Sequence, residues 1–522
     1  MQDLPLVIRA LSERLRFQVR GPQRVARLET CTVDLADWKL SLTDHTPCLW
    51  VRKPEHQSLP ALDLADEIRD AVRQASWHSD VVLVLIDWQV PELRQALSAA
   101  FTHAGHFTQF AVIDSMQQRA IFDAASPTRV MQDVLLDQIP LAQLSPYETS
   151  RLVTGNRFFG RRAYLKKILQ QPNTNFIIMG IRRIGKSSLL REVQRQLDLS
   201  DPVGAGQQRR VYVDCSVFQS EDDFYHDIIS QLSPTDMRRF QRQAQSQRFK
   251  SQMFHYLASQ QGGQITYLLD EVDGLLNNLG GSYELFEAMR RASARDHDAR
   301  FIVAGFRQLR QAAESLEAPL YHFGEGLTLK PLDGDEVRGM VVDPMERLRV
   351  KLEGRDEIAQ RIYRETAGQP NLVQFYCRTL LERLKPDGPH IIDLAQLESI
   401  YANQDFRDFL IQTFLSNTQP LERAIVFAVA AKYKEPEATF SLKDINTELY
   451  RHKFEVDFSQ LNAACRNLTA AGIFNGPERK QYTFSIPLLA RMLDEEYQLD
   501  FVFDKARRDH LAAAALRPET SP

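Results

Sequence analysis

Phe176-Ile177-Ile178-Met179-Gly180-Ile181-Arg182-Arg183-Ile184-Gly185-Lys186-Ser187-Ser188 is the stretch that decides how the rest of the chain is read. Its centre has the form G-x-x-x-x-G-K-[ST]. The four apolar residues before it read as a buried strand, and Lys186 to Leu197 reads as a helix. Strand, glycine loop and helix together are the context a phosphate-binding loop requires. Glycine lets the backbone turn its N–H groups toward a phosphate, and the helix N-terminus adds partial positive charge there. Lys186 is expected to reach the β- and γ-phosphates of a nucleotide, and the Ser187 hydroxyl to ligate Mg²⁺. The cradle is the run Gly180, Ile181, Arg182, Arg183, Ile184, Gly185, Lys186, Ser187 and Ser188.

Such a site needs an acidic motif at the end of a neighbouring strand. Ile265-Thr266-Tyr267-Leu268-Leu269-Asp270-Glu271 supplies it. Its apolar run fits a parallel strand buried on both faces. Asp270 is expected to hold the Mg²⁺ hydration shell opposite Ser187, and Glu271 to orient or deprotonate the attacking water. Asp273 reads as a surface or helix-start acid. Further strands are expected at Arg210–Asp214, Phe301–Gly305 and Gly326–Leu329. Strands alternating with helices imply a parallel sheet covered by helices, with nucleotide at the carboxyl ends of its strands. Arg307, just after one such end, reads either as a γ-phosphate sensor or as a surface arginine of the next helix.

The chain has 522 residues, enough for roughly three or four domains. Its formal net charge of −4 provides no global field for nucleic acid. Cys31, Cys48, Cys215, Cys377 and Cys465 show neither C-x-x-C nor zinc spacing and read as small buried residues of a reducing compartment. Charges interrupt any apolar run at the N-terminus, so no secretory signal is expected. No stretch approaches the ~18 apolar residues of a membrane helix. A cytoplasmic protein without a membrane partner is the expectation.

Asn156-Arg157-Phe158-Phe159-Gly160-Arg161-Arg162 resembles the F-x-G-R box of STAND-type ATPases, the signal-transduction branch of AAA+-related P-loop proteins. Arg182 to Leu190 is also typical of that branch, as is Leu332-Asp333-Gly334-Asp335-Glu336-Val337 followed by Pro344, which resembles the start of its lid. Ala367-Gly368-Gln369-Pro370-Asn371 resembles its G-x-P box, which implies that Pro370 packs on the adenine. Arg307 aligns with the sensor arginine of these proteins. The resemblance covers roughly residues 145–497 and implies an ATP-driven switch with slow hydrolysis. It further implies assembly into a homo-oligomer in the ATP state and a role in signalling or defence in a prokaryote. ATP rather than GTP is implied by the same likeness, since no guanine-reading N-K-x-D is found.

From Leu421 to Glu496 the pattern suggests a winged helix: three helical segments, then Ile473-Phe474, a turn at Asn475-Gly476-Pro477, and Tyr482–Ile486. Its third helix offers Arg466 beside Asp457, Ala463, Ala464 and Cys465, and its wing offers Arg479 and Lys480. Intramolecular packing is favoured over DNA binding, which stays open as the rival. Near the N-terminus, Val81–Ile86 and Phe110–Ile113 read as strands, and Leu62–Ala75 and Glu92–His103 as helices. Asp87 and Asp114 end those strands, as metal-binding acids of a nuclease-like effector or, more commonly, as caps. His45, His78, His103 and His106 read as surface residues. Gln138 to Tyr147 reads as a linker. In resembling proteins the leading position holds an effector or sensor unit, which implies a protein partner there.

The expectation is therefore an α/β chain: an N-terminal small α/β domain (1–142), a P-loop NTPase core with a parallel sheet (143–332), a helical lid (333–400), a C-terminal winged helix (401–500) and a tail (501–522).

Overall fold

A computed structural model describes residues 6–515, except 26–27, 39, 43–44, 53–58, 76, 78, 91, 103–107, 150, 201–208, 239–249, 280–283, 295–296, 315–317, 319, 386–387 and 479. His78, His103, His106 and Arg479 lie outside the described residues. The chain divides into two compact units. One comprises Met1–Tyr147, Val342–Glu353 and Cys377–Ile392, and the other Glu148–Val341, Gly354–Tyr376 and Asp393–Pro522.

The first unit is built on a five-stranded sheet of β1 (Val19–Val25), β2 (Leu28–Val33), β3 (Thr46–Val51), β4 (Val81–Ile86) and β5 (Gln109–Ile113), in that order. β1, β2 and β3 run antiparallel, and β3, β4 and β5 run parallel. β4 is Val-Val-Leu-Val-Leu-Ile and buried at every position, which is what a strand covered on both faces demands. The helices Ala61–Gln74 and Leu93–Thr102 pack on it through Leu64, Ile68 and Leu97. The Gln138–Tyr147 stretch does not behave as a linker. It contains a short helix, Leu141–Leu144, and buries Leu141, Leu144 and Tyr147 within this unit, where the Ser41 N–H also donates to the Leu144 carbonyl (2.8 Å).

The second unit centres on a parallel sheet of β6 (Phe176–Met179), β7 (Arg209–Asp214), β8 (Ile265–Asp270), β9 (Ala299–Gly305) and β10 (Glu325–Thr328), in the order β10-β6-β9-β8-β7. β6, β8 and β9 are buried throughout; β6 is wholly apolar, and β8 and β9 are apolar apart from Thr266 and Asp270 in the one and Arg300 in the other. An aromatic cluster under one face, Phe254, Tyr267 and Phe301 with centroids 5.2–5.3 Å apart, fills the layer between sheet and helices. Arg300 is buried with no carboxylate among its partners. It donates to the carbonyls of Ile168, Gln171 and Thr174, the first in the last turn of the Arg162–Gln170 helix, where partial negative charge collects. Burial pulls its pKa down to about 10.

The helices Gly334–Arg347, Arg355–Thr366 and Pro370–Glu382 follow β10. β11 (Lys351–Leu352) and β12 (Ile391–Ile392) form a short parallel pair in the first unit, so the expected lid segment contributes to both units. Then come the helices Gln404–Leu415 and Pro420–Lys432, β13 (Phe440–Ser441), the helices Leu442–Arg451 and Phe458–Ala470, β14 (Phe474–Glu478) and β15 (Gln481–Phe484). These strands pair in the order β13-β15-β14, all antiparallel. The three helices and the hairpin lie where the sequence places them, and β13, between the first two helices, adds a third strand that was not expected. The expected tail opens with a helix, Leu499–Ala515, that buries Phe503 and Ala506.

Candidate functional site

β6 delivers Gly180 to the carboxyl edge of the sheet, where its N–H donates to the Gly305 carbonyl at the end of β9 (3.1 Å). The loop then turns through positive φ at Arg183 (64°) and Gly185 (99°) into the Lys186–Ser200 helix. Gly185 supplies at no steric cost a conformation that a side chain would oppose. Lys186 is buried, and its Nζ donates to the Ile181 carbonyl (3.1 Å) and lies 3.7 Å from Glu271 Oε1. Glu271 sits immediately after β8, itself in the left-handed region (φ 49°).

The acidic strand is not the immediate neighbour of the P-loop strand, as the sequence reading had it. β9 lies between β6 and β8.

A cavity of about 760 Å³ is lined by Arg182, Arg183, Ile184, Gly185, Lys186, Ser187, Ser188, Glu271, Pro370 and Asn371, with Arg161 and Phe409 also on its wall. That volume lies within the range of small-molecule sites. Gly180 and Ile181 are not on the wall; their backbones bond to Gly305 and Lys186. Asp270 is buried and is not a wall residue. Its Oδ2 accepts from the Tyr212 hydroxyl (2.6 Å) and its Oδ1 from the Glu271 N–H (3.0 Å). Each carboxylate oxygen still has lone-pair capacity for a metal-bound water. Burial, together with the hydrogen bond to Asp270, pushes the Tyr212 pKa up, so its hydroxyl keeps the proton it donates. Ser187 is on the wall and Asp270 is not; a hydroxyl and a carboxylate are the oxygen donors that Mg²⁺ takes.

Arg307 is the site residue whose surroundings differ most from expectation. It does not line the cavity. Its Nη1 and Nη2 donate to Glu422 Oε1 (2.8 Å) and Oε2 (2.5 Å), and Nη2 also donates to the Asn417 carbonyl (2.7 Å). Glu422, 2% exposed, accepts in addition from the Gln419 N–H and Asn467 Nδ2 (both 2.9 Å). The same C-terminal segment grips the phosphate loop. The Arg182 N–H donates to Asn417 Oδ1 (2.8 Å), Arg183 Nη1 donates to Thr413 Oγ1 (3.2 Å), and the Arg183 guanidinium lies over the Phe409 ring (4.9 Å). Asn371 Nδ2 reaches that Thr413 hydroxyl as well (3.2 Å).

Three more side chains support the site, and only Glu192 among them carried no sequence signal. Asp273 is the helix-start acid of the two expected alternatives, in the first turn of the Val272–Asn278 helix, and its carboxylate also accepts from the N–H groups of Phe306 and Gln308 and so caps the Arg307–Glu314 helix. Arg161 is buried, with its Nη2 on the Ile184 carbonyl (3.2 Å) and its N–H on Glu336 Oε1 (2.7 Å). Glu192, in the helix after the loop, accepts from the Gly155 N–H (2.7 Å) and from Arg195. In the first unit, Asp114 forms a capping box with Gln117, and Asp87 accepts from the Trp50 indole N–H (3.1 Å). Neither carboxylate is part of a cluster of metal-ligating side chains among the described residues.

With loop, acidic pair and cavity in one unit, the relatives can be compared. Residues 170–312 match the family model described as an AAA domain. The matched segment runs from before the phosphate loop to beyond Arg307 and ends short of Pro370 and Glu422. No curated protein is a significant match. Among solved structures, the Walker-type ATPase PABY2304 of Pyrococcus abyssi is 16% identical, covering 67% of this chain and 99% of that one, with a TM-score of 0.47. The Aeropyrum pernix ORC2 protein in ADPNP–ADP complexes is 17% identical, covering 67% and 92%, with a TM-score of 0.48. The Thermotoga maritima RuvB Holliday junction branch migration motor is 14% identical, covering 68% and 99%, with a TM-score of 0.36. At these TM-scores the likenesses decide nothing about mechanism. No helix among the described residues is long and apolar enough to cross a membrane.

Proposed function

We propose that the protein is an ATP-driven switch of the STAND type, a slow Mg²⁺-dependent ATPase held in a closed state by its own C-terminal segment. The observation that carries this reading is the Arg307–Glu422 pair. The guanidinium suited to sensing a γ-phosphate is occupied by a buried carboxylate 115 residues further along the chain. Glu422 and a γ-phosphate are both bidentate anionic acceptors, so they compete for one arginine.

In this reading Lys186 and the loop N–H groups of Gly180 to Ser188 bind the β- and γ-phosphates of ATP, and Pro370 packs on the adenine. Ser187 and Asp270 hold Mg²⁺, whose charge would neutralise the β- and γ-oxygens. Glu271 orients the attacking water. Arg307 leaves Glu422 as it turns to the γ-phosphate, and the grip of Asn417 and Thr413 on Arg182 and Arg183 is released with it. A ligand that prefers the open arrangement shifts the population in that direction. Assembly of several copies in the ATP state is the proposed output, with signalling or defence in a prokaryote as the setting and the N-terminal unit as the surface for a protein partner.

The domain limits proposed are those expected from the sequence, with the first boundary moved to Tyr147. DNA binding through the C-terminal helices and hairpin is the rival. Against it, Asn467 of the third helix is turned to Glu422.

The test is mass and shape in solution with ADP, with a non-hydrolysable ATP analogue, and with duplex DNA. Assembly with the analogue alone is expected, and Lys186→Ala should abolish nucleotide binding. Assembly on DNA alone would select the rival. Retention of ATP binding and turnover by Lys186→Ala would overturn the site.

A further inference from the structure

Tyr212 and Arg191 lie outside the phosphate loop and the acidic motif, yet the two side chains lead from one to the other. β7 runs parallel to β8, with Tyr212 opposite Leu268 and Asp214 opposite Asp270. From two residues before the strand end, the Tyr212 side chain reaches forward along the sheet and ends 2.6 Å from Asp270 Oδ2. An ionised carboxylate only accepts, so the tyrosine is the donor. The other oxygen, Oδ1, is held by the Glu271 N–H. Two donors on opposite oxygens fix the rotation of the carboxylate; one alone would leave it free to swing.

The ring is held in turn. The Arg191 guanidinium stacks 3.3 Å from its centroid, a close cation–π contact, and Arg191 Nη1 is itself donated to Gln194 Oε1 (3.0 Å). Arg191 belongs to the Lys186–Ser200 helix, whose first turn carries Ser187. The helix bearing one proposed metal ligand therefore braces the tyrosine that sets the other.

We propose that Tyr212 is a positioning residue for the divalent-cation site, orienting Asp270 through its hydroxyl while Arg191 clamps its ring. This rests on the reading of Asp270 and Ser187 as the Mg²⁺ pair. The hydroxyl does not touch nucleotide or metal. It sets the direction in which Asp270 offers its remaining lone pairs. Outer-shell partners of this kind are typically worth about 10–100-fold in metal affinity.

Tyr212→Phe keeps the ring and the stacking and removes only the donor. The binding of ADP and of a non-hydrolysable ATP analogue is measured by calorimetry, first in EDTA and then over a Mg²⁺ titration. In Tyr212→Phe the Mg²⁺ concentration for half-maximal tightening should rise about 10–100-fold, with nucleotide affinity in EDTA unchanged. Arg191→Met, which frees the ring but leaves the hydroxyl, should move the midpoint the same way by less. A Mg²⁺ midpoint equal to wild type in both variants overturns the proposal. So does an equal loss of affinity with and without Mg²⁺, which would mark a merely structural role. If wild-type binding ignores Mg²⁺ altogether, the reading of Asp270 falls and the proposal with it.

Discussion

Replacing Glu422 by glutamine removes one charge from the middle of the proposed clamp and leaves the side-chain shape. Glu422 accepts four hydrogen bonds: two from Arg307, one from the Gln419 N–H and one from Asn467. A glutamine has one oxygen to offer these donors and presents an N–H₂ to the rest, so at least one donor is opposed by another. Breaking a buried ion pair by removing one partner costs about 3–5 kcal/mol. Arg307 keeps its Asn417 carbonyl, and its side chain is 23% exposed, so water compensates part of the loss. The closed state should therefore lose about 2–3 kcal/mol, at hydrogen-bond values for charged groups. At 1.4 kcal/mol per decade that is about 30–140-fold in the closed-to-open ratio. The assay is release of a fluorescent ADP analogue, with mass by light scattering alongside. Glu422→Gln should release ADP about 10–100-fold faster and assemble at lower concentrations of the ATP analogue. Arg307→Ala should release ADP just as fast but gain no turnover, because it loses the sensor with the clamp. If Glu422→Gln lowers thermal stability while ADP release and assembly stay at wild-type levels, Glu422 is a fold residue and the competition argument is wrong.

Two other perturbations probe the supports of the site. Gly368 has φ 66°, and a β-carbon there would lie 2.2 Å from the Leu332 carbonyl oxygen, so Gly368→Ala should lower stability by about 2–4 kcal/mol, read as a lower urea midpoint. Glu192 is largely desolvated, which raises its pKa. The hydrogen bonds from Arg195, the Gly155 N–H and Gln196 outweigh that and leave the pKa below the ordinary 4.5. Its contribution is then complete above pH 4.5 and lost as pH falls further, through the folded-state pKa. Glu192→Gln should flatten that acid limb in urea midpoints measured across pH, and an unchanged limb would refute the assignment.

The parts of the site that the sequence makes legible are those where a short stretch supplies both the backbone and the chemistry. The glycine loop, Lys186 and Ser187 lie within eight residues, and β8 ends directly in Asp270 and Glu271. Arg307 was found at its strand end, but its partner was not. Glu422 reads as an ordinary N-terminal helix acid, reaching back to the Gln419 N–H, and that local role hides its long-range one. Tyr212 reads as one more large residue of a strand, because its use depends on which strand lies beside it. In the first unit, β1 is Val-Arg-Gly-Pro-Gln-Arg-Val and mostly exposed, so it carries neither an apolar run nor alternation and went unread. β4 and β5 carry apolar runs that make them legible as strands.

By itself, then, the chain determined the glycine loop, the acids that end β8 and the alternation of strands and helices, since each is written in contiguous residues whose local conformation follows from their own chemistry. Only the tertiary structure decided the strand order that separates β6 from β8, the tyrosine that turns Asp270, and the carboxylate that holds Arg307. Those are pairings between distant segments, and a pairing is selected by the packing of the whole unit rather than by either partner.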